Sequence, residues 1–290
     1  MALESSELVL NPDGSLYHIA LLPHHVKDHV IVVGDPGRVD LIASFLDTVE
    51  ATVSNREYYT KVGRYRGMDL TIMSTGIGTD NIDIAINELD AAVNIDLEKR
   101  EVKTELRSLN IVRLGTCGAL QEDIQVDQAV VSKYGLGFDG LLNFYSVDQT
   151  KDEISIRDAF IYDTAYPMPL AKPYIIEGDQ DLRLKIAPGL LSGITATASG
   201  FYAPQGRSLR LDLEYPEMNR SLREFKWKEE RIINFEMETS ALYGLSRALG
   251  HQACTVCAVI ANRLRKEYSR DYKATVKEMV GEVLERLTSH

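Results

Sequence analysis

The stretch H-V-I-V-V-G-D-P-G-R, His29–Arg38, sets the reading of the chain. Its first half is a continuous apolar run that stops at Gly34, the pattern of a strand buried on both faces. Past the turn, Val39, Ile42, Ala43 and Leu46 fall at helical spacing over Arg38–Asp47. Working outward, this strand-then-helix unit recurs. Leu70–Ser74 is a second apolar run, and over Asn81–Val93 it is followed by a helix whose stripe is Ile82, Ala85, Ile86, Leu89 and Val93. Asn110–Gly115, Ala129–Ser132 and Leu190–Thr197 read as further strands. Glu238–Leu249 reads as a helix stopped by Gly250, and Ala253–Ala261 as the last strong strand. Tyr272–Leu287 closes the chain as a helix with Val276, Val280, Val283, Leu284 and Leu287 inward.

Strands alternating with amphipathic helices predict an α/β domain, with helices flanking a largely buried mixed β-sheet. The segment Asp148–Lys185, carrying Pro167, Pro169 and Pro173, reads as the least regular: a lid, an oligomer contact or a decorated loop. No repeat or linker divides the sequence, so one domain over 1–290 is expected, with 1–16 as an N-terminal extension.

A chain of 290 residues, 44% apolar and 26% charged, can bury a core without disulfides or metals. Its net charge of −11 argues against nucleic acid as a partner, because backbone affinity comes from massed Lys and Arg. A small anion remains a fitting ligand, since one pocket can gather a few arginines against the global field. The three cysteines make no disulfide framework. Cys254 and Cys257 form a C-x-x-C inside an expected strand, where residues three apart face opposite ways, so they read as buried thiols. No signal peptide and no membrane-length apolar run is seen, which makes the cytoplasm the expected compartment.

Ligands gather at strand ends in such folds, and three strand ends carry unusual chemistry. In V-V-G-D-P-G-R, Val32–Arg38, Gly34 and Gly37 let backbone amides approach a ligand, and Arg38 stands where a helix begins. In V-R-L-G-T-C-G-A, Val112–Ala119, Arg113 interrupts an apolar strand and needs an anionic partner, either a carboxylate or a bound phosphate, with Thr116 nearby. The third is S-T-G-I-G-T, Ser74–Thr79. None of the three is a dinucleotide fingerprint or a P-loop, and no H-E-x-x-H metal motif is present.

Taken with N-R-E-Y, G-F-Y-A-P-Q-G-R, N-F-E-M-E-T and I-A-N-R, in this order between His18 and about Glu267, these motifs resemble the nucleoside phosphorylase family, in its uridine phosphorylase branch. The resemblance implies that family's fold, a partly barrel-like mixed sheet flanked by helices. It also implies phosphorolysis of uridine to uracil and ribose 1-phosphate. On this resemblance Gly34, Arg38, Arg113 and Thr116 hold phosphate, with Arg56 reaching it from a neighbouring subunit. His18 likewise crosses to the ribose 5′-hydroxyl. Met237 and Glu238 hold the ribose, while Phe201, Gln205, Arg207, Arg263 and Glu236 attend the base. Arg38, Arg113, Glu238, Gln205 and Arg207 carry the catalysis. The implied assembly is a homo-oligomer with shared sites, a dimer or a hexamer. No cofactor or metal is implied, phosphate being a co-substrate; Glu57, beside Arg56, reads either as part of a monovalent-cation (K+) site at a subunit contact, as in some relatives, or as a structural Arg–Glu neighbour pair.

Two departures bear on substrate breadth: the base loop reads S-G-F-Y-A-P-Q-G-R, and Cys117 stands where a threonine is common. Purine-specific relatives place S-D where this chain has Ala261-Asn262-Arg263. The alternatives are a phosphorylase or nucleosidase of another nucleoside, and a non-catalytic nucleoside-binding protein of the same fold.

Overall fold

The computed structural model describes residues 2–289. In chain order the elements are β1 (His29–Val33), α1 (Pro36–Ala43), β2 (Thr48–Asn55), β3 (Tyr58–Tyr65), β4 (Met68–Ser74), α2 (Thr79–Asn94), β5 (Ile95–Asp96) and β6 (Glu101–Val102). Then come β7 (Asn110–Ala119), β8 (Ala129–Gly137), α3 (Lys151–Asp163), β9 (Tyr174–Glu177), α4 (Gln180–Ile186) and β10 (Leu191–Thr197). The last third holds α5 (Met218–Glu224), β11 (Lys226–Trp227), β12 (Glu230–Glu236), α6 (Thr239–Ala248), β13 (Gln252–Asn262), β14 (Glu267–Tyr268) and α7 (Tyr272–Thr288).

The stretch that opened the reading forms as expected: β1 is buried from Val30 to Val33 and lies parallel between β4 and β7. The helix after it begins earlier than Arg38. Asp35 is its N-cap, accepting from the Gly37 amide at 2.9 Å, and Pro36 takes the first helical position. Arg38 is therefore in the first turn, and the Gly37 amide is already spent on its own cap.

The mixed sheet runs β11-β12-β10-β8-β13-β7-β1-β4-β3-β2. A further antiparallel pairing of β12 with β7, Asn234 opposite Ala119 and Phe235 opposite Gly118, joins the sheet to itself. Strands β7, β12, β10, β8 and β13 thus close a five-stranded barrel, and β1, β4, β3 and β2 continue from it as an open wing. On one side α2 and α6 bury Ile82, Ile86 and Leu89 with Leu242 and Leu245. On the other, α1 and α7 bury Val39 and Ile42 with Val280, Val283 and Leu284. The N-terminal segment packs on the domain too, with Leu8 and Leu16 in the first of these cores.

Two expectations change. Strand β7 holds Arg113 and Gly115 as expected but runs on past Gly115 to Ala119, so Thr116 too sits within a barrel strand. The segment 148–185 is ordered: α3 opens with a capping box in which Thr150 and Glu153 satisfy each other's backbone amides. Glu153 is fully buried and also accepts from the Glu177 amide at 2.6 Å and pairs with Arg247 at 2.8 Å. The cysteines of the C-x-x-C are both buried free thiols on β13, and burial pushes the Cys254 thiol up to about 12. No helix among the described residues is long and apolar enough to cross a membrane.

Candidate active site

Where the barrel meets β1 and the N-terminus of α6, a cavity of about 980 Å³ opens. It is lined by Gly34, Arg38, Arg113, Thr116, Phe201, Gln205, Arg207, Glu236, Met237, Glu238 and Arg263. These residues come from strands and turns far apart in sequence, and the barrel closure is what brings them together.

Arg113 stands at the inner end and is 5% exposed. Its two anionic partners are Glu236, at 3.2 Å, and Glu238. The expected anion is thus supplied by the E-M-E carboxylates themselves. Burial works to lower the guanidinium pKa, but Glu238 and then Glu236 outweigh it and the net shift is upward, so Arg113 stays charged. Arg38 approaches the same end and donates to the Leu114 carbonyl at 3.1 Å. Burial, and then the like charge of Arg113, lower its pKa. An arginine never loses its proton in a protein, so the buried Arg113 and the half-buried Arg38 repel each other, and an anion near both offsets the repulsion.

The two glutamates do different work. Glu236 ends β12, and its carboxylate accepts from the Glu238 amide at 2.9 Å, the Thr239 amide at 2.9 Å and the Thr197 hydroxyl at 2.6 Å. With Arg113 added, both oxygens have partners inside the protein, and Glu236 fixes the turn into α6 while it lines the cavity. Burial pushes its carboxyl up, against the pull of Arg113. Glu238 is the residue before α6 and accepts from the Gly78 amide at 2.8 Å. Gly78 has φ +95°, a conformation that suits glycine. The turn S-T-G-I-G-T therefore gives an amide to the carboxylate of Glu238. Met237 lies between the two glutamates on the cavity wall.

At the outer end, Arg207 stacks over Phe201, its Cζ 3.9 Å from the ring centroid. It donates to Gln205 Oε1 and to the Phe201 carbonyl, both at 2.6 Å. Gln205 is 4% exposed, and with its oxygen taken its amide nitrogen is the group left to donate. Arg263 holds the loop by donating to the Gln205 and Gly206 carbonyls at 2.5 and 3.1 Å. Burial, then Arg263, lower the Arg207 pKa. Asn262 beside it is fully buried: its amide nitrogen donates to the Gln121 and Ile124 carbonyls, and its oxygen accepts from the Leu264 and Arg265 amides.

His18 and Arg56 do not line this cavity. They share a separate surface cluster. Asn55 donates to the His18 carbonyl at 2.8 Å, and Arg56 lies over the Tyr17 ring at 5.4 Å. Arg56 sits at the β2–β3 turn with φ +55°, which costs a non-glycine residue about 1 kcal/mol. His18 Nδ1 is 2.6 Å from Glu88 of α2, whose carboxylate also accepts from the His18 and Ile19 amides at 3.0 and 2.9 Å. One carboxylate thus fixes both the loop and the ring, leaving Nε2 outward. Glu88 is a supporting residue that sequence reasoning missed, because it lies on the polar face of α2 with no motif around it. Also missed were Ile77, Lys266 and Tyr268 on the cavity wall. Glu57, singled out for a cation, has its Cγ 3.1 Å from where a Cβ at Gly76 would stand.

A model of the phosphorylase superfamily matches residues 28–289. The chain is 32% identical over 266 residues to the uridine phosphorylase of Thermococcus kodakarensis, covering 92% of this chain and 84% of that protein. It is 29% identical over 245 residues to the guanosine phosphorylase of Halorubrum lacusprofundi, covering 84% of this chain and 83% of that protein. Among solved structures, a nucleoside phosphorylase of Trypanosoma brucei that shows uridine phosphorylase activity superposes with a TM-score of 0.88 at 30% identity, covering 98% of this chain and 100% of that one.

Proposed function

The chain belongs to the phosphorylase superfamily, and on that premise we propose that it cleaves uridine with inorganic phosphate to give uracil and ribose 1-phosphate. The observation that carries this is the set of groups in one cavity: a buried and a half-buried arginine, a carboxylate, and a glutamine–arginine pair with an aromatic ring. Phosphate between Arg38 and Arg113, with Thr116, relieves the repulsion of the two cations. Glu238 accepts from the ribose hydroxyls, and its charge favours the oxocarbenium-like sugar of the transition state. A phosphate oxygen bonds to C1′ as the C1′–N1 bond breaks. The electron pair leaves on uracil, and Gln205 and Arg207 donate to its carbonyls with growing strength as that charge develops.

Asn262 supports a pyrimidine over a purine leaving group. Its side chain is saturated by backbone partners, so it has no proton to give to a purine N7. Positioning and charge carry the chemistry without a metal, since phosphate is already ionised at neutral pH. We assign the enzyme to the cytoplasm as a homo-oligomer in which His18 and Arg56 serve a neighbouring subunit's site, in a two-fold dimer or a hexamer of dimers. A potassium ion at Glu57 of that contact belongs to the same proposal.

Uridine turnover is expected to require inorganic phosphate or arsenate, read as uracil release with and without the anion. Equal turnover in phosphate-free buffer would refute phosphorolysis. Replacing Gln205 or Arg207 by alanine is expected to remove about 2–4 kcal/mol of transition-state stabilisation on uridine, the scale of one oriented donor. Unchanged kcat/KM in both variants would remove the pair from the base site.

A further inference from the structure

We infer that Gly115 and Cys257 form the seat of Arg113, and that the Cys257 thiol is a positioning residue for phosphate binding. The inference rests on the reading of Arg113 as a phosphate ligand and goes beyond it to what holds that ligand in place.

Arg113 and Gly115 are two apart on β7 and so face the same side of the strand. A side chain at position 115 would occupy the space the guanidinium uses. A Cβ built on Gly115 stands 2.8 Å from Arg113 Cζ, closer still to Nη1, and 2.9 Å from Cys257 Sγ. The backbone of Gly115 is in the ordinary range, so it is the close approach, not an unusual φ, that demands glycine here. Without a Cβ at 115, the guanidinium folds back along its own strand.

Cys257 sits opposite Gly115 in the parallel β7–β13 register and is fully buried. Its sulfur accepts from Arg113 Nη1 at 3.3 Å. The other two anchors of Arg113, Glu236 and Glu238, come from the β12–α6 turn. The thiol comes from the barrel wall, so it constrains the guanidinium from a second direction. Two carboxylates on one turn leave a planar fork free to pivot about them; a third acceptor on another strand removes that freedom. A hydrogen bond from Cys117, with Arg113 helping and burial opposing, holds the Cys257 thiol below its usual pKa. The mechanism described above uses neither residue.

The test is steady-state kinetics with uridine and inorganic phosphate varied separately, on the parent and on Cys257→Ser, Cys257→Ala and Gly115→Ala. Cys257→Ala is expected to raise KM for phosphate about tenfold, the loss of one oriented hydrogen bond, with KM for uridine within about twofold of the parent. Cys257→Ser keeps an acceptor and is expected to restore phosphate KM to within about threefold of the parent. Gly115→Ala displaces the guanidinium and is expected to raise phosphate KM about a hundredfold. If Gly115→Ala does not fold, the serine–alanine comparison decides. An alanine variant with the parent's phosphate KM would overturn the inference, as would serine and alanine variants impaired alike, or KM values for uridine and phosphate rising together. Failure of the phosphorolysis reading is distinguishable, because it shows in the parent enzyme as turnover without phosphate.

Discussion

Arg113→Met is expected to lower kcat/KM for phosphate by about a thousandfold or more and to destabilise the fold by about 3–5 kcal/mol, the cost of leaving a buried ion pair half removed. Both effects have one origin. The side chains of Glu236 and Glu238 are 1% and 6% exposed and face the same guanidinium. Without it, two carboxylates lie together in a dry site, and burial, which already pushes the Glu236 carboxyl up, goes unopposed. The sign of the pH dependence follows. Carboxyls whose folded pKa lies above the unfolded value of about 4 destabilise the fold once pH rises past that unfolded value, and do not below it. The deficit of the variant relative to the parent should therefore shrink as pH falls from 8 towards 4. Urea melts of both proteins across that range measure it. A deficit that grows on acidification, or methionine tolerated at pH 8, would mean that the carboxylates do not depend on Arg113.

Mixing Arg56→Ala with Glu238→Ala, each nearly inactive alone, is expected to restore activity after subunit exchange. Arg56 and His18 lie outside the cavity of their own chain, yet the proposed chemistry needs both. A two-fold contact is self-complementary, so one exchange of Arg56 completes two sites. A mixed dimer then carries one doubly damaged site and one intact site. Recovery towards about half the parent activity per mixed dimer is the expected ceiling. Hetero-oligomers shown to form and yet stay inactive would mean that Arg56 acts within its own chain.

The strand–helix alternation was legible because runs such as Val30–Val33 and Ala253–Ala261 are buried on both faces, and burial of that kind is written into composition. The β2–β3 hairpin was not. β2 is an edge strand, Thr48–Asn55, mostly exposed, and its short alternation of Val49, Ala51 and Val53 is at most half-buried, which makes a weak signal. In α3 the prolines after Asp163 masked a local signal that was present, the T-x-x-E of Thr150 and Glu153. Closure of the barrel was visible only through family resemblance, since the pairing of Phe235 with Gly118 depends on tertiary contact and not on either residue's neighbours.

The site shows the same division. Arg113 announced itself as a charge in an apolar strand, and both partners weighed for it, carboxylate and anion, remain relevant: the carboxylates are seen, and the anion is proposed. Which glutamate of E-M-E faces inward could not be read from the triplet, because that depends on how the turn into α6 is hydrogen-bonded. Glu88 had no spacing signal, and the C-x-x-C spacing of Cys257 said nothing of Arg113, since each acts on a residue distant in sequence.

The seam between β7 and β12 has a consequence for how the molecule comes into being. Arg113 and Glu238 are 125 positions apart, and the ion pair that joins them spans that seam. Such a contact forms only after a long loop has been closed against its entropy, which places it among the slow events of folding. The first half of the chain, however well its open wing assembles, holds Arg38 and Arg113 with no carboxylate between them. A nascent or truncated chain lacking β12 and α6 therefore has neither a closed barrel nor a balanced pair of arginines. Competence to bind substrate is acquired together with that long-range pairing, so the site itself reports whether the barrel has closed.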